Sequence, residues 1–162
     1  MAVNNAINLP EVVLKAYLST NTGAVTGDGT LYTVVFDIKE IDNSDSYNAS
    51  TGIFTVPVSG NYYIKYSINY LAQASGATYA DTYIAYSGSA SLFAYQSWPT
   101  INTCSNYYGL DSYISIAGGI VLPLAAAQTI SVIVDGSGGS KLDIIAGAAS
   151  SLYPTSLFIQ KI

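Results

Sequence analysis

Residues 62–70 alternate between two kinds of side chain. Large apolar or aromatic residues occupy every second position: Tyr62, Ile64, Tyr66, Ile68 and Tyr70. Lys65, Ser67 and Asn69 lie between them. Because successive side chains of a β-strand point to opposite faces, this pattern predicts a strand with one buried face. Residues 32–38 show the same period, with four apolar side chains at alternate positions, and are predicted to form a second strand.

Similar runs continue along the chain, where Tyr, Val, Ile and Thr are separated by Gly, Asn, Asp and Ser, and no helical period is sustained. Glycine-rich segments 26–30 and 136–140 are predicted as turns and are too short to be interdomain linkers. The further predicted strands are 12–19, 52–58, 78–86, 92–98, 112–122, 129–135 and 152–162. Nine or ten short strands predict one all-β domain, residues 1–162, with a ten-stranded jelly-roll sandwich as the leading architecture.

The composition favours an oligomer. Half of the residues are hydrophobic and 9% are charged, against about 25% in typical soluble proteins. No apolar run reaches the ~20 residues of a membrane helix, and the longest, 118–127, contains Pro123. The first residues lack the basic and apolar regions of a secretory signal. Contact between subunits is the remaining way to cover apolar surface.

The charge excludes one class of partner. Five lysines, no arginine and ten carboxylates give a net charge of −5. Such a chain neutralises few phosphates, so neither nucleic acid nor anionic lipid is expected as a partner.

Eight residues lie at the spacings of a known family signature: Phe36, Asp42, Tyr47, Phe54, Gly60, Tyr62, Ile64 and Tyr66. With these residues the segment resembles the complement C1q-like globular domain of the tumour-necrosis-factor-like superfamily. Seven of the eight positions fit, and Ile64 stands where the family usually has Phe. Residues 156–159 resemble the closing strand, and 120–129 resemble the strand and turn before the penultimate one, without the usual Gly-Asp.

This resemblance implies a compact homotrimer of ten-stranded jelly rolls, often at the tip of a stalk, whose head recognises proteins or glycans and performs no chemistry. Residues 26–32 resemble versions of the domain in phage tail fibres and other viral or bacterial surface proteins. We therefore expect a virion-surface, extracellular or cell-surface location.

Catalysis is not expected. There is no His for a hydrolase triad or zinc site, and the lone Cys104 has no partner for a disulfide. A carboxylate pair could come from the cluster Asp37, Glu40, Asp42 and Asp45. The same residue types cap turns, which is the preferred interpretation. That cluster, or Asp28 in its Gly-Asp-Gly turn, is also the candidate for calcium, with no residue assigned as a metal ligand and no other cofactor expected.

Ligand binding is predicted at an aromatic set, because Tyr and Trp combine contact area with a polar tip and sugars stack on such rings. The set comprises Tyr95, Trp98, Tyr107, Tyr108 and Tyr113. Residues 97–106 between them are predicted to form a long recognition loop. Packing in the core or between subunits is the competing interpretation of these rings.

Three hypotheses follow. The first is a trimeric recognition or fibre-tip head for receptor binding or cell adhesion. The second is a structural trimerisation or capsid-associated module without a ligand of its own. The third is a carbohydrate-active jelly-roll enzyme that uses the acidic cluster.

Overall fold

The computed structural model describes residues 11–72, 79–87, 93–98, 112–137, 142–146 and 154–162. Every regular element in these ranges is a β-strand, and none is a helix that could span a membrane. The strands are β1 Glu11–Tyr17, β2 Thr22–Thr26, β3 Tyr32–Thr33, β4 Ile38–Asp42, β5 Tyr47–Asn48, β6 Ile53–Thr55, β7 Gly60–Ala72, β8 Tyr79–Tyr86, β9 Phe93–Trp98, β10 Ser112–Leu124, β11 Thr129–Ser137, β12 Leu142–Ile145 and β13 Ser156–Lys161.

The strands form two antiparallel sheets. Sheet A has the order β2-β12-β7-β13-β1-β4, and β10 pairs with the long strand β7. Sheet B has the order β5-β6-β11-β8-β9, and β3 pairs with β11. Consecutive strands often change sheet, as β10 and β11 do. This arrangement confirms the all-β, jelly-roll-like sandwich.

Most predicted strands are present with shifted ends: β11 extends through Gly136 and Ser137, which were predicted as part of a turn, and only Ile53–Thr55 of the predicted strand 52–58 is paired. One region differs more. The predicted strand 32–38 is wrong, because pairing stops at Thr33 and restarts at Ile38. Val34 and Phe36 are still buried, at 1% and 0% exposure. The Val34 N–H donates to the Val132 carbonyl at 2.9 Å, and the Phe36 N–H donates to the Tyr47 hydroxyl at 2.9 Å. The alternating pattern of residues 32–38 therefore arises from the burial of their apolar side chains, although the segment between β3 and β4 is irregular.

The strand count also differs from the prediction. Thirteen strands lie within the described residues, where ten were expected. The additional ones are short: β2, β5 and β12 have two to five residues and no clear alternation. Short strands of this kind leave little periodic signal in a sequence. That the chain is one domain stays a prediction.

The core lies between the two sheets. Tyr62, Ile64, Tyr66, Ile68 and Tyr70 are all at most 1% exposed, which confirms the predicted buried face of β7. The long tyrosines reach sheet B. Tyr70 Oη lies 2.6 Å from the hydroxyl of Thr82 in β8, and Tyr66 Oη donates to the Thr82 carbonyl at 3.4 Å. Polar tips therefore join the two sheets through an otherwise apolar core.

The residues of the family signature have structural roles. Phe54 packs edge-on against Tyr62 with ring centroids 6.5 Å apart. Tyr47 accepts the Phe36 N–H, as described above. The Asp42 carboxylate accepts the N–H groups of Ser46 at 2.9 Å and Tyr47 at 3.3 Å. The signature therefore specifies core packing and turn hydrogen bonds.

Buried tyrosines predict a loss of stability in alkali. Burial raises the pKa of Tyr47 and of Tyr66 to about 12, and it also raises the pKa of Tyr70. Unfolded tyrosine has a pKa of about 10. The folded chain therefore holds these protons more tightly, so its stability is complete below pH ~10 and falls as the pH rises through ~12. For each such tyrosine we expect a loss of about 1.4 kcal/mol per pH unit in that window. Denaturant unfolding at several pH values checks this, and equal free energies of unfolding at pH ~10 and ~11 would contradict it.

Candidate functional site

The acidic cluster is occupied by local contacts. Glu40 pairs with Lys15 at 2.8 Å, and Lys39 Nζ lies 3.0 Å from carboxylate oxygens of both Asp42 and Asp45. These contacts and the turn hydrogen bonds of Asp42 engage all three carboxylates in local structure. They fit the turn-capping interpretation of the cluster.

Asp37 is held as an anion. Its carboxylate accepts the N–H of Ser19 at 2.7 Å and also the Ser19 hydroxyl. Burial raises the pKa of Asp37, but the hydrogen bonds from Ser19 outweigh burial, so the pKa lies below its ordinary value. A general acid of a glycosidase needs the opposite shift. The environment of Asp37 therefore does not suit proton donation.

Asp28 closes its own turn. Its Oδ1 accepts the Thr30 N–H at 3.0 Å, across the Gly-Asp-Gly sequence. Within the part of the chain that the structure describes, no three His, Cys, Asp or Glu side chains come together as metal ligands. The contact at Asp28 is the one expected of a turn residue.

The structure describes the backbone positions of only part of the predicted aromatic set. Tyr95 and Trp98 lie in β9, and Tyr113 lies in β10, although the side chains of these three residues are outside the described part. Tyr107 and Tyr108, with residues 99–106 of the predicted loop, also lie outside the described residues. Strands β9 and β10 contact each other where the two sheets meet. Three of the five residues therefore belong to neighbouring strands, and ligand binding there stays a prediction.

A second candidate surface is the outer face of sheet A, the side turned away from the core. We define this face by outward residues of four adjacent strands: Tyr17, Tyr63, Lys65, Ser67, Ala117, Gly119, Val121, Ser156 and Phe158. Strand pairing aligns them in rows. One row is Tyr17, Ser156, Ser67 and Ala117. These four strands therefore present one continuous surface.

Small and aromatic residues dominate that outer face. The phenol of Tyr63 lies over Gly119, because a Cβ at Gly119 would be 3.1 Å from Tyr63 Oη. A depression of about 330 Å³ lies beside it, lined by Lys65, Phe158 and neighbouring residues of β7 and β13. Val121 is 50% exposed. Flat sheet faces with small side chains and exposed apolar residues suit close contact with another protein surface.

Charge is sparse on this outer face. Lys15 and Glu40 form an exposed pair at one border. Lys65 lies at the centre, opposite Gly119 and Phe158, and makes no ion pair among the described residues. The outer face of sheet B differs, because it presents two carboxylates, Asp81 and Asp135, directly opposite each other.

Solved structures share this two-sheet arrangement. Murine APRIL has a TM-score of 0.62 at 15% identity, over 95% of this chain and 100% of the other. Eiger TNF from S. frugiperda has a TM-score of 0.63 at 13% identity, over 94% of this chain and 93% of the other. The globular domain of the zebrafish complement 1qA protein has a TM-score of 0.54 at 17% identity, over 92% and 94%. The fold is thus the jelly-roll sandwich of the C1q/TNF-like class.

The family is given by the sequence itself. The family model of the C1q domain matches residues 16–140, more than half of the chain. The chain therefore belongs to the C1q domain family, which confirms the resemblance seen in the signature residues. No curated protein sequence matches it significantly.

Sequence reasoning missed the outer face of sheet A as a candidate surface. Lys65, Ser67 and Asn69 alternate with the buried residues of β7, and nothing in that run indicates which strands flank it. The one sequence feature that points to this face is the series of small residues Ser115, Ala117 and Gly119 at alternate positions of β10. Only the pairing of β10 with β7 places them beside those polar residues.

Proposed function

We propose that this chain is a non-enzymatic homotrimeric recognition head, whose subunits pack the outer face of sheet A around a threefold axis. Membership of the C1q domain family is the observation that carries the proposal. The family implies trimers that recognise other molecules without catalysis. The sparse charge, 9% of residues, fits a chain that covers apolar surface by association.

The outer face of sheet A is the better of the two sheet faces for trimer contact. It combines half-buried aromatic rings, Tyr63 and Phe158, with the small residues Ala117 and Gly119. The outer face of sheet B carries Asp81 and Asp135 side by side, and burying facing carboxylates between subunits is unfavourable.

Ligand binding is proposed at the aromatic set Tyr95, Trp98, Tyr107, Tyr108 and Tyr113, with a protein or a glycan as the ligand. Rings of this kind provide contact area with little loss of conformational entropy. The location proposed is outside the cell or on a virion surface, and a fibre-tip or adhesion role belongs to this proposal.

Two matched serine variants test which sheet faces the axis. Ser67 and Ser131 are both half-buried and lie on the outer faces of central strands, β7 in sheet A and β11 in sheet B. Ser67→Glu should place three carboxylates in the trimer interface and produce a folded monomer, because buried unpaired charges are costly. Ser131→Glu should leave a trimer. Light scattering gives the mass, and circular dichroism checks the fold.

The reverse result, a trimeric Ser67→Glu and a monomeric Ser131→Glu, would assign the axis to sheet B and contradict the proposed interface. The wild-type trimer is then tested on glycan arrays and on cell surfaces, with Trp98→Ala as the binding variant. Binding that Trp98→Ala abolishes supports the head, whereas a trimer that binds neither panel supports a structural module without a ligand.

A further inference from the structure

Two carboxylates face each other on the outer side of sheet B. Asp81 in β8 and Asp135 in β11 are directly paired across the antiparallel strands. Side chains at such positions have Cβ atoms about 5 Å apart, and like charges there destabilise a sheet. Asp81 is only 7% exposed. This pair is outside the acidic cluster near residue 40.

Each carboxylate has one satisfied and one unsatisfied oxygen. The Tyr83 hydroxyl donates to Asp81 Oδ2 at 3.0 Å, and the Tyr79 hydroxyl donates to Asp135 Oδ2 at 3.3 Å. The Oδ1 atoms of both aspartates are shielded from solvent and have no hydrogen-bond partner among the described residues. Unpaired buried carboxylate oxygens are strongly unfavourable, and either a cation bound between them or a proton shared by them relieves that cost.

The two tyrosines complete an oxygen-rich site. Tyr79, Asp81 and Tyr83 occupy alternate positions of β8 and therefore share its outer face. Partial burial, followed by the negative charges of Asp135 and Asp81, holds the pKa of Tyr79 above its ordinary value. The local field is therefore negative, and the side chains of Tyr79, Asp81, Tyr83 and Asp135 all offer oxygen.

We propose that Asp81 and Asp135 form a calcium-binding site on the outer face of sheet B, with Tyr79 and Tyr83 orienting the two carboxylates. Calcium takes six to eight oxygen ligands in flexible geometry, and water completes sites that have few protein ligands. Zinc and copper prefer nitrogen or sulfur ligands, which these four side chains do not provide. The small number of protein ligands predicts weak affinity, with a Kd on the order of 10⁻⁴ to 10⁻³ M.

Thermal unfolding of the intact chain, with calcium chloride or with a chelator, tests this site. At ~10 mM calcium we expect the wild-type Tm to rise by about 3–5 °C. The variant Asp81→Asn/Asp135→Asn should lose that rise. In chelator it should melt above wild type, because the substitution removes the repulsion between the paired carboxylates. Asparagine is nearly isosteric, and the single variant Asp135→Asn is measured beside the double variant in case the latter fails to fold.

The control is Asp28→Asn/Asp45→Asn, which removes the same charge from two exposed aspartates. It should keep the calcium response. Terbium luminescence sensitised by nearby tyrosine, and displaced by calcium, reports binding directly and should disappear in both Asp135 variants. No calcium response in wild type, or a response lost in the control and kept in the Asp135 variants, would overturn the proposal.

Discussion

Replacing Gly52 by alanine should lower the Tm by about 5–12 °C, which corresponds to a loss of about 2–4 kcal/mol. Gly52 has φ +74°, a conformation that disfavours any side chain. A Cβ there would also overlap the carbonyl oxygen of Val34 and lie 3.1 Å from its carbonyl carbon. Because these are backbone atoms of a buried segment, they cannot move aside without disturbing the core. Calorimetry of the variant measures the change.

Gly29 provides the matched control for that substitution. Its φ is +84°, but no atom lies within 4 Å of a Cβ built there. Gly29→Ala should therefore show the conformational cost alone, about 1 kcal/mol or a Tm decrease of about 2–4 °C. Equal losses of stability for Gly29→Ala and Gly52→Ala would show that the close approach of Gly52 to the Val34 backbone does not contribute to the cost of the substitution.

Replacing Gly118 by alanine is the second large effect expected, a loss of about 2–3 kcal/mol. The glycine lies in β10 opposite Tyr66 of β7. A Cβ would be 2.6 Å from Tyr66 Oη and 2.8 Å from Cζ. Tyr66 is 1% exposed and its hydroxyl donates to the Thr82 carbonyl across the core, so displacing its ring would disturb buried contacts. Chemical denaturation of both proteins gives the difference.

Gly119→Ala is the control that distinguishes this clash from a general effect of alanine in β10. A Cβ at Gly119 would meet Tyr63 Oη at 3.1 Å and the Ile64 carbonyl oxygen at 3.2 Å. Tyr63 is half-buried on the outer face and is freer to move, so Gly119→Ala should cost less than Gly118→Ala. Combining Gly118→Ala with Tyr66→Phe should cost less than the sum of the single changes. Additive losses would contradict a direct contact between Gly118 and Tyr66.

The central strands could be predicted from sequence because burial on one face imposes an alternating pattern. The buried tyrosines and isoleucines of β7 follow this rule, and the family signature further constrained residues 36–66. The same rule was wrong for residues 32–38. Val34 and Phe36 alternate and are buried, but hydrogen bonds to Val132 and to the Tyr47 side chain replace regular pairing there. Periodicity therefore predicts which side chains are buried and does not determine how their backbone is bonded.

The candidate surfaces depend on pairings between residues far apart in sequence. Asp81 and Asp135 are 54 positions apart, and only the register of β8 with β11 makes them neighbours. Likewise, Ser67 joins Ala117 and Ser156 in one row because β10 and β13 flank β7. A local pattern carries no information about such register. The acidic cluster 37–45 is evident from the sequence because its residues are close together, yet its carboxylates are engaged in structural contacts.

The solution mass of the unmodified chain is the most direct measurement of the proposed trimer. Light scattering on a size-exclusion column should give about 51 kDa, three copies of the 17.0 kDa chain. That mass should persist in chelator, because the proposed calcium site lies on the sheet face turned away from the trimer contact. A stable species of about 17 kDa would contradict the trimeric head and leave the outer face of sheet A without the partner proposed for it.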